Sequence, residues 1–376
     1  MKLLHVIGGY DIKSGGTYTA LVSLVKMFEK LGHTNSIIAT GSDHSSNDTT
    51  NTGVICFDRS FPKKFRKSKK AKNWLRENIV NYDAVVVHEI WGGIGLDACL
   101  LAMKNHVKYY VWPHGSLDPF DLQKKKYIKK ILGKVFVNRV LKNAQYICCT
   151  SKKEKQLIDC FGTVSNNIIS LSLPVDFCLE DEIGIPRPSL ITPELPADAF
   201  AFLFFSRINY KKGLDLFLRA FAQCLAEKLI KDNCYLLIAG SGTPEYENYI
   251  DNLITELNLK AHVVKLGLVT GNDKLKVYKN AHIFILPSLN ENFGLSVIES
   301  LQSGTPVLIS DNIYIHEELF ADAAPGWLCQ YDINNLKRKI VESTFVQAKE
   351  QVAAKKVGQK FTTSSLLPVY KEAFNE

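Results

Sequence analysis

The chain has 376 residues, 46% apolar and 22% charged, which is too long for one compact core and excludes wholesale disorder. Its net charge of +8 is uneven: residues 1–175 hold 26 Lys and Arg against 13 Asp and Glu, and the remainder holds 20 against 25. A basic half joined to a mildly acidic half fits two domains with different partners, and anionic membranes, phosphorylated substrates and nucleic acid all suit the basic one. In chain order, KLLHVIG (2–8) reads as a buried strand. After a Gly-rich loop, Leu21, Leu24, Val25, Phe28 and Leu31 recur at helical spacing, and Gly32 stops the helix. NSIIAT (35–40), DAVVVH (83–88), VKYYVWP (107–113) and QYICCT (145–150) come next as strands, with a helix around 94–104. Continuous apolar strands alternating with helices mean a parallel sheet covered on both faces.

The pattern restarts near residue 200. Strands are predicted at 201–207, 234–240, 262–267, 282–287 and 305–310, with helical periodicity over 213–229, 245–257, 273–279 and 295–303. Residues 178–200 are rich in Pro and acidic residues and read as a linker. The predicted fold class is α/β, with two doubly wound domains, in which ligands sit at the carboxyl ends of strands. No apolar run approaches the roughly 18–20 residues that span a bilayer, and MKLLHVIGGY is too short an apolar start for a secretory signal. The nine cysteines are scattered without a C-x-x-C pair, and Cys148 and Cys149 are adjacent. They are expected to be small buried apolar side chains in a reducing cytoplasm.

The strongest motif is PSLNENFGLSVIESLQSGTP (287–306). A strand ends, a polar loop carries Glu291, and a helix opens near Phe293–Gly294 with Glu299 one to two turns inside. The N–H groups of Gly294 and Leu295 and the positive helix end favour an anion such as a diphosphate. Glu299 could accept hydrogen bonds from vicinal hydroxyls, and Glu291 from a second polyol. On spacing alone, a helix-start charge plus a solvated helix carboxylate explains the same pattern. In SRINYKKG (206–213), Arg207 ends a strand, and Lys211, Lys212 and Gly213 open a helix. Arg offers a fork to phosphate oxygens and Lys a mobile point charge, although a basic helix start is commonly plain surface charge. Ser14-Gly15-Gly16-Thr17 either lets backbone approach a ligand or makes a tight strand-to-helix turn. Neither it nor Gly240-Ser-Gly242 is a dinucleotide fingerprint, since G-x-G-x-x-G is absent.

The segment E-N-F-G-L-S-V-I-E (291–299), flanked by P-S and S-G-T-P-V, closely resembles the E-x7-E motif of retaining GT-B glycosyltransferases of family 4, group 1. SRINYKKGLDLFLRAF, LLIAGSG, KLGLVTGNDKLKVYKNAHIFILPS, SGGTYTAL and PHGSLDPF extend the resemblance over nearly the whole chain. It implies a GT-B fold: an acceptor-binding Rossmann-like domain over 1–177, a donor-binding one over 178–359, and a terminal helix at 360–376 packing back on the first. It implies His114, Glu291, Arg207 and Lys212 as catalytic. It implies Gly15, Gly16, Arg207, Lys212, Gly240, Asn292, Phe293, Gly294, Leu295 and Glu299 as donor-binding. His88 is a weaker candidate, and Asp118 reads as a turn former. The chain departs from the family at SLPVDF (172–177), where an N-G-V-D-like turn is common.

The resemblance implies retaining, front-face transfer of a hexose, with glucose from UDP-glucose as the leading donor, to a saccharide or lipid-linked acceptor in polysaccharide synthesis. No D-x-D pair occurs in the chain, so no metal or other cofactor is expected. A UDP-sugar 2-epimerase shares this architecture and is the second reading. A non-catalytic basic module for membrane or nucleic acid is the third, and nucleic acid is disfavoured because Phe65 is the lone aromatic among the seven basic residues of 63–72. That stretch, read as a loop, and the amphipathic 124–142 are either solubilising charge or peripheral contacts to the inner leaflet, worth about 1 kcal/mol per basic residue.

Overall fold

The computed structural model describes residues 1–10, 16–41, 53–61, 66–158, 167–177 and 195–374. Gly15 and residues 178–194 of the expected linker lie outside them. The chain divides into two compact units, Met1–Pro174 with Leu366–Glu376, and Val175–Ser365.

The first unit is built on β1 (Lys2–Ile7), β2 (Thr34–Thr40), β3 (Gly53–Phe57), β4 (Ala84–His88), β5 (Lys108–Trp112), β6 (Tyr146–Cys149) and β7 (Ile168–Ser170). They lie in the order β3-β2-β1-β4-β5-β6-β7, and every pair is parallel. The second unit holds β8 (Phe200–Phe205), β9 (Cys234–Ala239), β10 (Val263–Gly267), β11 (Ile283–Leu286), β12 (Val307–Ser310) and β13 (Gly326–Cys329). Their order is β10-β9-β8-β11-β12-β13, again all parallel. In both sheets the chain winds outward from its first strand in one direction, then returns to that strand and winds the other way. The reversal falls between β1 and β4, and between β8 and β11. Loops on either side of such a point leave each other, and a crevice opens at the carboxyl ends of the two strands.

The predicted strands occur where the apolar runs are continuous. Ala84–His88 and Ile283–Leu286 are wholly buried, which requires cover on both faces. The helix Gly16–Lys30 buries Leu21, Leu24, Val25 and Phe28, one stripe at helical spacing, and Gly32 beyond its end takes φ 81°. Strands β3, β7 and β13 are additions to the sequence reading. Each is a sheet edge and each is only partly buried. The basic stretch 63–72 is not all loop, because Lys69–Asn78 is a helix that Ser68 caps by accepting from the Ala71 N–H. Seven cysteines are described, all free, and all but Cys56 are buried.

The terminal helix Thr363–Phe374 ends among the aromatic side chains of the first unit. Tyr370 donates to the Ser172 carbonyl at 3.0 Å. Phe374 meets Phe28 and Tyr110 edge-on, with centroids 5.1 and 5.0 Å away, and stacks on Trp112. The ring thus anchors the last turn of the helix to the first unit's sheet. Phe374→Ala is expected to cost about 3–5 kcal/mol, read as a lower unfolding midpoint in a denaturant titration monitored by tryptophan fluorescence.

Candidate active site

In the second unit the chemistry gathers at the reversal between β8 and β11. The segment after β8 carries Arg207, exposed, then a short turn Tyr210–Lys212 and Gly213, which opens the helix Leu214–Ala226. Gly213 has φ 70°, and a Cβ there would overlap the Pro287 carbonyl oxygen. Only glycine lets the two segments come this close. The Leu289 N–H also donates to the Lys211 carbonyl at 2.8 Å. This approach delivers the Lys212 ammonium to the Glu291 carboxylate, and the two form an ion pair. Glu291 is itself held by the segment after β12: its N–H donates to the Asn312 carbonyl (3.2 Å), and its carbonyl accepts from the Tyr314 N–H (3.0 Å).

Gly294 caps the helix Leu295–Gln302, whose start lies beside Glu291 in the chain. Its first turn presents N–H groups and the positive end of the helix dipole. Phe293 is buried and lies edge-on to Phe361, with centroids 6.0 Å apart, so its side chain is an anchor for the loop. Gly240 is likewise an approach point: at φ 133° a Cβ would overlap the Ser206 carbonyl. Glu299 is buried one turn into its helix, and both its oxygens are engaged. Tyr278 Oη donates to one at 2.9 Å, and Lys274 pairs with the other. Lys274 also lies over the rings of Phe177 and Phe205. Each carboxylate oxygen keeps a second lone pair. Lys274 and Tyr278 were not singled out in the sequence, although their i, i+4 spacing on the helix Asp273–Asn280 puts them on one face.

The first unit has its own polar file. Asn35 on β2, His5 on β1, His88 at the end of β4 and His114 after β5 come from four adjacent strands. His5 pairs with Val86 in the β1–β4 register, and His88 with Trp112 in the β4–β5 register. Each histidine therefore stands two residues nearer the carboxyl edge than the last. A step of two keeps all of them on one face. His5 Nε2 lies 3.0 Å from Asn35 Oδ1, His5 Nδ1 3.2 Å from His88 Nε2, and His88 Nδ1 3.1 Å from His114 Nε2. Asn35 turns its amide nitrogen to the carbonyls of Val25 and His33, so its oxygen must accept from His5. Burial pushes His5 and His114 down to about 4 and His88 well below its ordinary value. With one proton per ring, the assignment propagates: His5 donates from Nε2, His88 from Nε2 to His5, and His114 from Nε2 to His88. His114 Nδ1 is left with a bare lone pair.

Two non-glycine residues of this edge, Glu89 and His114, hold left-handed backbones at φ 69° and 51°. Such conformations cost energy and cluster at functional sites. Glu89 is paired with Arg66. Gly16 begins its helix as expected. Asp118 is the turn former the sequence suggested: it caps the helix Pro119–Gln123 by accepting from the Asp121 N–H. Asp176 of SLPVDF accepts from the Thr363 N–H at 2.8 Å.

Two parallel sheets in these orders, with basic groups, a glycine-capped helix and paired carboxylates at a winding reversal, define a GT-B protein. The family model for glycosyl transferases group 1 matches residues 192–351, and that for glycosyltransferase family 4 matches residues 14–177. The chain belongs to this group of GT-B glycosyltransferases. It is 29% identical over 175 residues to an uncharacterized glycosyltransferase of Methanocaldococcus jannaschii, covering 45% of this chain and 42% of that protein. It is 35% identical over 141 residues to alpha-monoglucosyldiacylglycerol synthase of Streptococcus pneumoniae, covering 38% of this chain and 30% of that protein. The matches thus span less than half the length of these curated relatives. Among solved structures, sucrose-phosphate synthase of Thermosynechococcus elongatus has a TM-score of 0.79 at 17% identity, over 100% of this chain and 99% of that one. Anabaena HepE in complex with UDP-glucose has a TM-score of 0.76 at 16% identity, over 99% and 98%. Among the described residues no helix is long and apolar enough to cross a membrane.

The histidine file dictates a pH response. The folded-state values lie below the unfolded value of 6.5, so the unfolded chain binds more protons and acid favours it. Stability is complete above pH 6.5 and is lost as pH falls from there through about 4. His5 alone accounts for roughly 3 kcal/mol across that window. Denaturant unfolding at pH 7 and pH 4.5 is expected to show this loss, and His5→Gln, which does not titrate, is expected to flatten the slope.

Proposed function

We propose that the chain is a retaining glycosyltransferase that moves a hexose, with glucose the leading assignment, from a UDP-sugar to a saccharide or lipid-linked acceptor in polysaccharide synthesis. The observation that carries this reading is the convergence of Arg207, Lys212, Glu291 and the Leu295 helix start at one winding reversal of the second unit. Family membership and the UDP-glucose complex of HepE support it.

In this reading the diphosphate lies against Arg207, Lys212 and the helix start, which supply positive potential where charge develops as the leaving group departs. The diphosphate competes with Glu291 for Lys212, and the carboxylate turns to a hydroxyl of the transferred sugar. Glu299, already oriented by Tyr278 and Lys274, offers its remaining lone pairs to the ribose hydroxyls. The bond from the anomeric carbon to the diphosphate breaks, the acceptor oxygen bonds to the same face, and its proton passes to the departing diphosphate oxygen. Within the first unit, His114 offers its bare Nδ1 to a hydroxyl donor, while His88, His5 and Asn35 act as positioning residues that fix which nitrogen is bare. Protein cations replace a divalent ion.

Arg207→Ala or Lys212→Ala is expected to lower turnover by roughly 10²–10³-fold, since an oriented group of this kind is worth roughly 3–4 kcal/mol in the transition state. Glu291→Ala is expected to abolish transfer with the fold retained. Glu299→Gln, which keeps the side chain's volume, is expected to weaken UDP binding by about 1.5–3 kcal/mol. Titration calorimetry with UDP and a coupled UDP-release assay read these; ordinary values in all four variants would refute the site.

Activity is also expected to survive EDTA with at most mild stimulation by Mg²⁺. Complete loss on chelation, restored by Mn²⁺ or Mg²⁺, overturns the account of the leaving group.

A further inference from the structure

The crossover from β5 to β6 in the first unit contains a helical run formed by Lys126–Leu132, a wider turn Gly133–Val137, and Asn138–Asn143. Its inward face is complete. Val137, Val140 and Leu141 are fully buried in the core cluster with Val111 and Ile147, and Tyr109 donates to the Val140 carbonyl. The run nevertheless carries a second apolar set on its outer side. Tyr127, Ile131 and Val135 are 81%, 65% and 56% exposed, and Ile128, Leu132 and Phe136 lie open beside them. These six are more than a third of the sixteen large exposed apolar side chains among the described residues, yet they fall within ten positions. Exposed apolar residues scattered singly need no explanation, whereas a contiguous set marks a contact surface.

The spacing makes them one stripe. Adjacent pairs recur every four residues, and in a regular helix a four-residue spacing drifts around the axis. The wider turn takes up an extra residue, so the third pair stays in line with the first two. Lys126, Lys130 and Lys134 recur at the same spacing along one flank. No acidic residue occurs between Asp121 and Glu154, and Asp121 is already paired with Lys124 and Lys129. An apolar stripe flanked by uncompensated lysines is complementary to a surface that is apolar inside and negative at its rim. Long lysine stems let the ammonium groups reach lipid phosphates while apolar side chains enter the acyl boundary. A protein or nucleic-acid partner would call for Arg, Trp or interleaved aromatic platforms, and the stripe is mostly Ile, Leu and Val. The other basic stretch is different in kind: Arg66 is paired with Glu89 and Lys72 with Asp97.

We propose that the outer face of Lys126–Asn143 docks the first unit onto an anionic bilayer. The run starts twelve residues after His114, at the carboxyl edge of the same sheet. A lipid-linked acceptor is thereby favoured over a free saccharide, a step that rests on the function proposed above, whereas the docking itself does not.

The test is cosedimentation of the full chain with vesicles of phosphatidylcholine alone or mixed equally with phosphatidylglycerol, at about 0.1 M salt. Wild type is expected to partition at least tenfold better onto the anionic vesicles. The variant Ile128→Glu/Ile131→Glu/Val135→Glu is expected to lose this binding. Lys126→Gln/Lys130→Gln/Lys134→Gln is expected to lose its salt-sensitive part. All six substituted side chains are exposed, and unchanged circular dichroism confirms the fold. Tyr127→Trp is expected to blue-shift its emission only with anionic vesicles. Absence of wild-type binding, equal binding by the variants, or no emission shift overturns the proposal. So does a dimer seen by light scattering that the triple Glu variant dissolves without any vesicle binding, since a second copy would then cover the stripe. UDP-glucose hydrolysis measured without vesicles is the separate control. Its absence would count against the donor reading and leave the docking result standing.

Discussion

The winding reversal in each parallel sheet is the constraint on which everything else depends. A parallel strand cannot be reached by a tight hairpin, so each connection crosses a face of the sheet. The chain must change direction once to cover both faces. At that change two consecutive crossovers depart to opposite sides, and the carboxyl ends of two neighbouring strands are left without a connection above them. In the second unit those ends are β8 and β11. The segment leaving β8 is basic and the one leaving β11 is acidic and then helical, so opposite charges meet there at the reach of one lysine. The glycine at 213 is the price of that proximity, since a side chain would occupy the space of the Pro287 carbonyl.

In the first unit the same reversal is crossed by a polar file instead of an ion pair. Three histidines in an apolar face would be costly if any carried a charge, because nothing in the file is acidic to balance it. As neutral rings they satisfy one another, each accepting from the next. The end at Asn35 therefore decides the proton position at the other end, three strands away. A buried network of this kind is worth having only when complete, which explains why the amide of Asn35 is itself pinned by two backbone carbonyls.

These two sites differ in how far they could be read from the sequence. Glu291, Gly294 and Glu299 belong to one continuous segment, and Arg207 and Lys212 to another, so spacing and resemblance picked them out. Lys274 stands far from Glu299 in the chain, and the file His5–His88–His114 joins residues at widely separated positions. Only strand register brings those histidines together, and register comes from the sheet order, which no local pattern encodes. The same limit applies to the fold. Central strands such as β4 and β11 are buried on both faces and announce themselves as unbroken apolar runs. Three of the four edge strands, β3, β7 and β13, have one neighbour and partial burial, so their composition is mixed and their signal weak. The reading of 63–72 as loop failed over 69–72 for a related reason: the lysines there mask a helix whose buried residues, Ala71 and Leu75, are few.

The two proposals together account for the charge asymmetry between the halves. Binding a nucleotide diphosphate would suggest a surplus of positive charge, yet residues beyond 175 carry more acid than base. A diphosphate is small, and in the function proposed here a few fixed groups, Arg207, Lys212 and a helix start, would act on it at contact distance, where local geometry outweighs net charge. An extended anionic surface is the opposite case. Its field falls off within about a Debye length and rewards many basic groups spread over a face, with little demand on the placement of any one of them. The surplus of the first half is concentrated in that form: ten Lys and Arg lie between Asp121 and Glu154 with no acid among them. They border a stretch where large apolar side chains stand together in solvent on a helix whose core-facing side is already filled.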